Sequence, residues 1–392
     1  MATLSQANKG MDGDAMYEIR QARIDDWPLI QRFIDRCYGA EAPYKQEKRW
    51  RWQFVDNPYR AASGSSTSVW IALHEAKIAG QIAVQPGRMW IDGQAIPAGW
   101  IVDVMVDPDH RGAGLGHRIH DAIMATGQTV ATLTMAPATR RIAERAGCIT
   151  LGAVLQMVRV RRLSPRTIVA LVTPRIERRS WARKPGRLFN RSQIGPATIA
   201  TGLSTALRLH ATLKGTTEPK GTVITVDGFE PAAIERLFEI ERTKIPALFD
   251  RGTDFFRWRY EEVPDLRYQR ARLNVDGATA GFVVWRMPEA PELPIGTLTD
   301  IVADPADPET IVTLAKHAVT AMEERTEAIV AGASHPTHVA ALKRLGFVTS
   351  RIHRPTIVTT DTRIAKAVER VKDQWHFTKA DHDWDQIHPV QY

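Results

Sequence analysis

The chain has 392 residues and a formal charge of +8, from 52 Lys+Arg against 44 Asp+Glu, with 44% hydrophobic composition. Domains run to about 100–200 residues, so this length excludes a single hydrophobic core and predicts at least two. The only cysteines, Cys37 and Cys148, lack CxxC or Cys/His spacing, which excludes a disulfide framework and argues against a zinc site, and no apolar run reaches the ~18 residues of a membrane span.

The first sixteen residues are polar and read as a flexible N-terminus with no apolar run behind basic residues. With the sparse cysteines, this predicts a cytoplasmic protein. A helical pattern follows in DDWPLIQRFIDRCY, Asp25–Tyr38. Next comes RWRWQFVDNP, Arg49–Pro58, read as a long loop. Strands are predicted over Ser68–Val84, with a turn at Glu-Ala-Lys, and over Val102–Pro108. A helix, the strand Ala131–Pro137, a short helix ending at Gly147 and a last strand complete the unit.

The chain then repeats itself. RWRW returns as RWRY at Arg257, AGQIAV as AGFVVW at Ala280, VDVMVDP as TDIVADP at Thr299, and ERAGCITLGAV as KRLGFVTSRIH at Lys343. The four matches keep their order at offsets of 208, 201, 197 and 199 residues, which indicates two domains of one pattern. The pattern is α/β with a mixed sheet. Between the copies, Arg159–Arg191 holds eleven Arg or Lys and one acid, Glu177. It reads as a solvated linker with a short helix near Ile194–Leu213, or as a basic segment resting on anionic lipid or polymer. It lacks the basic–aromatic interleaving that stacks bases, so no nucleic-acid partner is predicted.

The stretch VDPDHRGAGLGHRIHDAI, Val106–Ile123, carries the chemistry. Neither the Walker pattern nor Gly-x-Gly-x-x-Gly fits it. It does fit a nest of backbone N–H groups at a helix N-terminus, opened by the fixed charge of Arg111. A diphosphate suits such a nest.

On Val106-x-Pro108-x-x-Arg111-Gly112-x-Gly114-Leu115-Gly116 the chain resembles the acyl-CoA signature of the GNAT superfamily of N-acyltransferases. The resemblance extends more weakly over Tyr17–Val160. It implies two tandem GNAT-like domains, each a splayed mixed β-sheet flanked by helices. The divisions are a flexible 1–16, a GNAT domain at 17–160, a basic linker at 161–221, a degenerate GNAT-like domain at 222–360, and a C-terminal helix and tail at 361–392. The resemblance also implies that Val104, Met105 and Val106 meet the pantetheine arm. A backbone N–H, assigned to Met105, polarises the thioester. The amides of Arg111, Gly112, Ala113, Gly114, Leu115, Gly116 and His117 hold the diphosphate. The co-substrate is acetyl-CoA or another acyl-CoA, and the acceptor a small primary amine such as an amino sugar, attacked directly and without metal. A homodimer is compatible with this reading. A non-catalytic acyl-CoA-binding scaffold or sensor is the alternative.

The family's tyrosine, four residues before the glycine closing the helix after the fifth strand, is Ala143 here and Leu342 in the second copy. Asp103 is the candidate base, set against a structural hydrogen bond because the second copy keeps Asp300. His110, His117 and His120 cluster near the loop; His120 reads as a helix-face residue and His117 as a polar neighbour of the diphosphate, since lone histidines in such places are more often solvated than catalytic. The second copy replaces the glycines and arginine with Asp304, Asp307 and Glu309, a loop that repels a diphosphate. Trp50, Trp52, Trp258 and Tyr260 either form a platform for an acceptor or close the cores, the latter favoured because both copies have them. The tail Asp373–Gln386 is expected to dock on the body, without a trusted ligand spacing.

Overall fold

The computed structural model describes residues 17–39, 46–61, 65–170, 221–289 and 292–386. The N-terminus expected to be flexible, the basic segment beyond Ala170 and the helix expected near Ile194–Leu213 lie outside the described residues. The chain divides into two compact units. The first takes the chain to Leu151 together with Glu262–Asp265 and Arg354–Lys372. The second takes Gly152–Glu261, Leu266–His353 and Asp373 onward.

The first unit opens with β1 (Glu18–Arg23) and α1 (Trp27–Tyr38). Then come α2 (Glu47–Phe54), β2 (Ser66–His74), β3 (Lys77–Ile91) and β4 (Gln94–Val106). The β2–β3 turn forms at Glu75 and Ala76, both at positive φ (48° and 59°), as the two-residue hairpin twist requires. After the glycine loop come α3 (Leu115–Ala125), β5 (Val130–Thr132), α4 (Pro137–Arg145) and β6 (Ile149–Thr150). Ile119 and Ile123 of α3 pack with Ile82, Val84, Ile101 and Ala143 in the core.

The expected splay is present. β5 pairs with β4 in parallel at Gly99↔Val130 and Trp100↔Ala131, and the two strands diverge after that. β4 also breaks its register against β3 between Val102 and Met105, with Asp103 at φ +52°. An Asp is among the few L-residues that accept the left-handed region, and the extra residue bends the strand away from its neighbour.

The second unit contains β7 (Val154–Val160), β8 (Thr222–Thr225), α5 (Pro231–Lys244), β9 (Ala247–Phe249) and α6 (Thr253–Phe256). It continues through β10 (Tyr268–Val275), β11 (Ala278–Arg286), β12 (Ile295–Ala303), α7 (Pro308–Glu323), β13 (Ala328–Ala333), α8 (Pro336–Arg344) and β14 (Val348–His353). Its sheet runs β14–β7–β13–β12–β11–β10–β8. The core between sheet and α7 holds Leu298, Ile301, Leu314, Val319 and Phe347. The last described elements are β15 (Thr356–Val358), α9 (Thr362–Arg370) and β16 (Trp375–His376), of which β15 and α9 belong to the first unit.

The closing strands are exchanged relative to the sequence order. β7, read as the last strand of the first copy, lies between β13 and β14, with Val158 opposite Val330 and Val348. β15 follows β14 in sequence yet lies between β5 and β6 in the first sheet. Local pattern identifies a strand but not its partner, because pairing is decided by cross-strand packing far along the chain. One consequence is practical. A fragment cut at Gly221–Arg354 lacks β7, so the second unit must be studied within the full chain.

The RWRW and RWRY stretches are helical, not loops. Trp50 and Trp52 lie on α2 and are buried. Arg49 is buried too, its guanidinium 5.5 Å from the Trp52 ring centroid and donating to the Pro264 carbonyl at 2.6 Å. Residues Arg257–Glu261 form a π-helical turn after α6, with Trp258, Arg259 and Tyr260 buried. Both copies therefore use the motif to close a core, since an amphipathic Arg–Trp pair buries most of its surface. The basic segment also begins inside the second unit. Arg159 of β7 pairs with Glu323 at 2.5 Å and donates to the Leu345 carbonyl at 2.6 Å, so it is not a lipid-facing charge.

Lys379 in the tail is buried over the Trp384 ring, 4.0 Å from its centroid, and burial pushes its ammonium down to about 7. The unfolded lysine titrates near 10.4, so the folded chain carries the burial penalty below pH 7 and loses it as pH rises toward 10. Lys379→Met is expected to stabilise the protein at pH 6 by on the order of 1–3 kcal/mol in urea unfolding, with the gain shrinking by pH 10.

Candidate active site

The glycine loop begins with Asp107, whose carboxylate accepts from the Asp109 amide at 2.9 Å. Arg36 of α1 forks onto the same carboxylate, the second contact being 3.1 Å, and this hydrogen-bonded guanidinium holds the Asp107 carboxyl below its usual range. The loop entry is thus anchored from α1. Arg111, Gly112, Ala113 and Gly114 are exposed. Gly112 and Gly114 take φ of +90° and +72°, and a Cβ at either would point into open space. Gly114 is the N-cap of α3 and has no side chain to satisfy the first-turn N–H groups. The His117 amide, predicted to hold the diphosphate, instead donates to the Gly114 carbonyl at 3.0 Å, so the Leu115 and Gly116 amides and the positive helix end beside Arg111 are the part of the turn suited to an anion.

Gly116 has a different job. A Cβ there would meet Ile142 Cδ1 at 2.8 Å, so this glycine allows α3 to pack on α4. His117 is half-buried in the first turn. His110 accepts or donates at 3.0 Å to the Tyr17 hydroxyl, with the His74 ring 4.9 Å away, so it is tied to the body and is not a free neighbour of the loop.

Between β4 and α4 the splay leaves a slot lined by Ile82, Ile101, Val104, His120, Ile142 and Ala143, with Thr132, Thr139 and Val358 completing it. The Asp107 amide donates to Ala79 of β3 at 2.9 Å, whereas the Gly99 amide donates to Thr129 beside β5 at 3.1 Å. Counting back from Asp107 by strand alternation turns the amides of Val106 and Val104 away from β3 and into the splay. Met105, paired with Gln81, turns its amide toward β3. The N–H open to a ligand at the bulge is therefore that of Val104, not Met105. The left-handed Asp103 also breaks the alternation that put its side chain on the face of Met105. Asp103 is half-buried and does not belong to the slot lining.

His120 is the residue that sequence reasoning misplaced. It is buried at 2% exposure, and neither ring nitrogen has a hydrogen-bond partner among the described residues. Burial lowers its pKa, so the imidazole is neutral. It shares the slot with Ala143, the position of the missing tyrosine. A helical count of the pattern would have found it, since His120 follows Gly116 by four residues and shares its inward face.

The second copy keeps the frame without the loop. Lys244 binds Asp304 at 2.5 and 2.7 Å, Asp307 caps α7 through the Thr310 amide at 3.2 Å, and Glu309 pairs with Arg344 at 2.6 Å. These acids are used in local structure, and no positive-φ glycine opens an anion nest there. Asp300, the counterpart of Asp103, is buried and accepts from Tyr260 at 2.8 Å and Thr378 at 2.9 Å, with Arg251 at 3.0 Å. Its role is structural. Asp300→Ala is expected to cost about 3–5 kcal/mol in chemical denaturation, because it leaves the Arg251 charge underpaired in the core.

Residues 18–150 match the model of the acetyltransferase (GNAT) domain family. The first unit carries a GNAT-type acetyltransferase domain. The second unit repeats the sequence pattern of the first. No curated protein matches the sequence. Among solved structures, a GCN5-related N-acetyltransferase from Anabaena variabilis is similar at TM-score 0.57 and 11% identity, over 87% of this chain and 72% of that one. N-myristoyltransferase of Saccharomyces cerevisiae with bound myristoyl-CoA gives 0.55 and 10%, over 88% and 79%. A tandem GNAT protein from the clavulanic acid biosynthesis pathway gives 0.51 and 14%, over 88% and 99%. At these identities the likeness is one of fold. No described helix of the chain is long and apolar enough to cross a membrane.

Proposed function

We propose that the chain is an acyl-CoA-dependent N-acyltransferase whose first unit moves an acyl group, acetyl in the first instance, to a primary amine of a small acceptor such as an amino sugar. The observation that carries this reading is the continuity of three features. An open anion nest at Gly112–Gly116 leads to a strand with outward amides at Val104 and Val106, and that strand borders an apolar slot. The diphosphate rests on the nest, the pantetheine arm pairs along β4, and the thioester sits at the bulge. There the Val104 N–H stabilises the developing oxyanion.

The amine nitrogen attacks the thioester carbonyl carbon, the C–S bond breaks, and coenzyme A leaves as its thiolate. His120 replaces the family's tyrosine as the proton group of the slot. It accepts the proton shed by the amine and returns it to the sulfur, so the ring ends neutral as it began. A thiolate with a pKa of about 8.5 is a fair leaving group even before that transfer. Asp103, outside the slot, is the weaker candidate base.

Thiol release from acetyl-, propionyl- and myristoyl-CoA against a panel of amines tests this reading. Turnover with acetyl-CoA and at least one small amine is expected. Tight CoA binding with no turnover on any amine would instead favour a non-catalytic acyl-CoA sensor, the reading that the alanine at position 143 favours. Titration calorimetry of the full chain is expected to give about one CoA site per chain, reduced at least tenfold in affinity by Arg111→Glu. Two equal sites would contradict the assigned difference between the copies.

A further inference from the structure

The second unit holds a knot of polar atoms that acyl transfer does not use. Glu241 on α5, His338 on α8 and His376 on β16 each place one potential ligand atom within 4.8 Å of the other two. Their exposures are 0%, 3% and 1%. Glu241 Oε2, His338 Nδ1 and His376 Nδ1 have no hydrogen-bond partner among the described residues. A buried polar atom left this way is destabilising, and a carboxylate more so. Three such atoms converging on one point call for a shared guest.

We propose that Glu241, His338 and His376 bind a divalent first-row transition-metal ion, of the zinc or iron(II) type, that ties the C-terminal segment to α5 and α8. Two imidazoles and one carboxylate form a recognised donor set for these ions, with room for water or another ligand in the remaining positions. The outer contacts already orient it. His338 Nε2 lies 3.3 Å from the Ile301 carbonyl, which makes it the donor and leaves the Nδ1 lone pair facing inward. Glu241 Oε1 accepts from the Ala303 amide at 3.3 Å, which leaves Oε2 for the ion. The half-buried His335 stands beside both rings, at 5.7 and 5.9 Å, close enough to serve as an outer partner.

The charges agree. Arg251 is flanked by Asp300 at 3.0 Å and Asp381 at 2.6 Å, one negative charge in excess, while burial and the Asp300 charge push the Glu241 carboxyl well above its ordinary value. A divalent cation beside Glu241 would favour its carboxylate form and offset that excess. This proposal is independent of the acyl-transfer reading.

The test uses the full chain, expressed untagged with added Zn2+ and Fe2+ and purified without chelator. Elemental analysis is expected to find about one metal ion per chain. A chelator should lower Tm, and Zn2+ should restore it. Glu241→Gln and His376→Gln should remove the metal while far-UV circular dichroism stays native. Should those variants misfold, Co2+ titrated into chelated wild-type protein still decides the matter, with a visible d–d band saturating at one equivalent. Metal below about a tenth of an equivalent, with no cobalt band and no Tm response to Zn2+, Co2+ or Fe2+, overturns the proposal. A folded His376→Gln variant that keeps its full metal content overturns it equally.

Discussion

Gly114→Trp is expected to abolish CoA binding in titration calorimetry while the chain keeps its fold. The reason is local. Gly114 caps α3 at φ +72°, and space beyond its Cα is open. An indole there stands over the first-turn amides and excludes the diphosphate. The left-handed backbone costs a non-glycine residue roughly 1–2 kcal/mol, which a domain of this size survives. Loss of the nest should weaken binding by about 100-fold or more, close to 3 kcal/mol. Gly116→Ala is the contrasting control. Its Cβ meets Ile142 and not a ligand, so it should lower Tm more than it lowers affinity. CoA affinity within about threefold of wild type in Gly114→Trp would remove the diphosphate from this loop.

The second large effect is at His120. His120→Ala is expected to lower kcat by about 10²–10⁴ with little change in the KM for acyl-CoA, because a proton group contributes in the transition state and not to cofactor binding. His120→Leu separates chemistry from folding. The wild-type imidazole leaves two buried nitrogens unpartnered, so an apolar side chain of similar reach should hold or raise Tm while activity falls. The pH profile carries the same signature. Burial lowers the pKa of His120, so the neutral base persists below 6.5 and the acid limb of kcat/KM should lie under that value. Asp103→Asn is the comparison. A larger loss there than in His120→Ala would transfer the proton role to the bulge. Wild-type rates in His120→Ala would leave the slot without its assigned base.

The glycine loop was legible in the sequence, and Gly112 and Gly114 take the positive φ expected of it. Arg111, Gly112 and Gly114 could be read because an anion nest needs positive φ and no Cβ, and few residue types satisfy both. The duplication was legible because four short matches kept one offset, and the loss of the glycines in the second copy showed where the two halves differ. The turns at Glu75–Ala76 and Asp276–Gly277 followed from local chemistry. Each of these depends on residues a few positions apart.

What escaped depended on distance along the chain. No local pattern assigned β7 to the second sheet or β15 to the first, because an apolar strand fits either until its neighbours arrive. The bulge at Asp103 moved the outward amide from Met105 to Val104, a shift of one residue that alternation cannot foresee. His120 looked like a surface histidine, and only α4 and β4 closing around it made it a group of the slot. Glu241, His338 and His376 have no ligand spacing at all, since they come from α5, α8 and β16. Local stereochemistry determined the shape of the loop. Long-range packing decided which strands pair, which amides stay free and which buried polar atoms meet, because burial and convergence do not exist until the chain has folded.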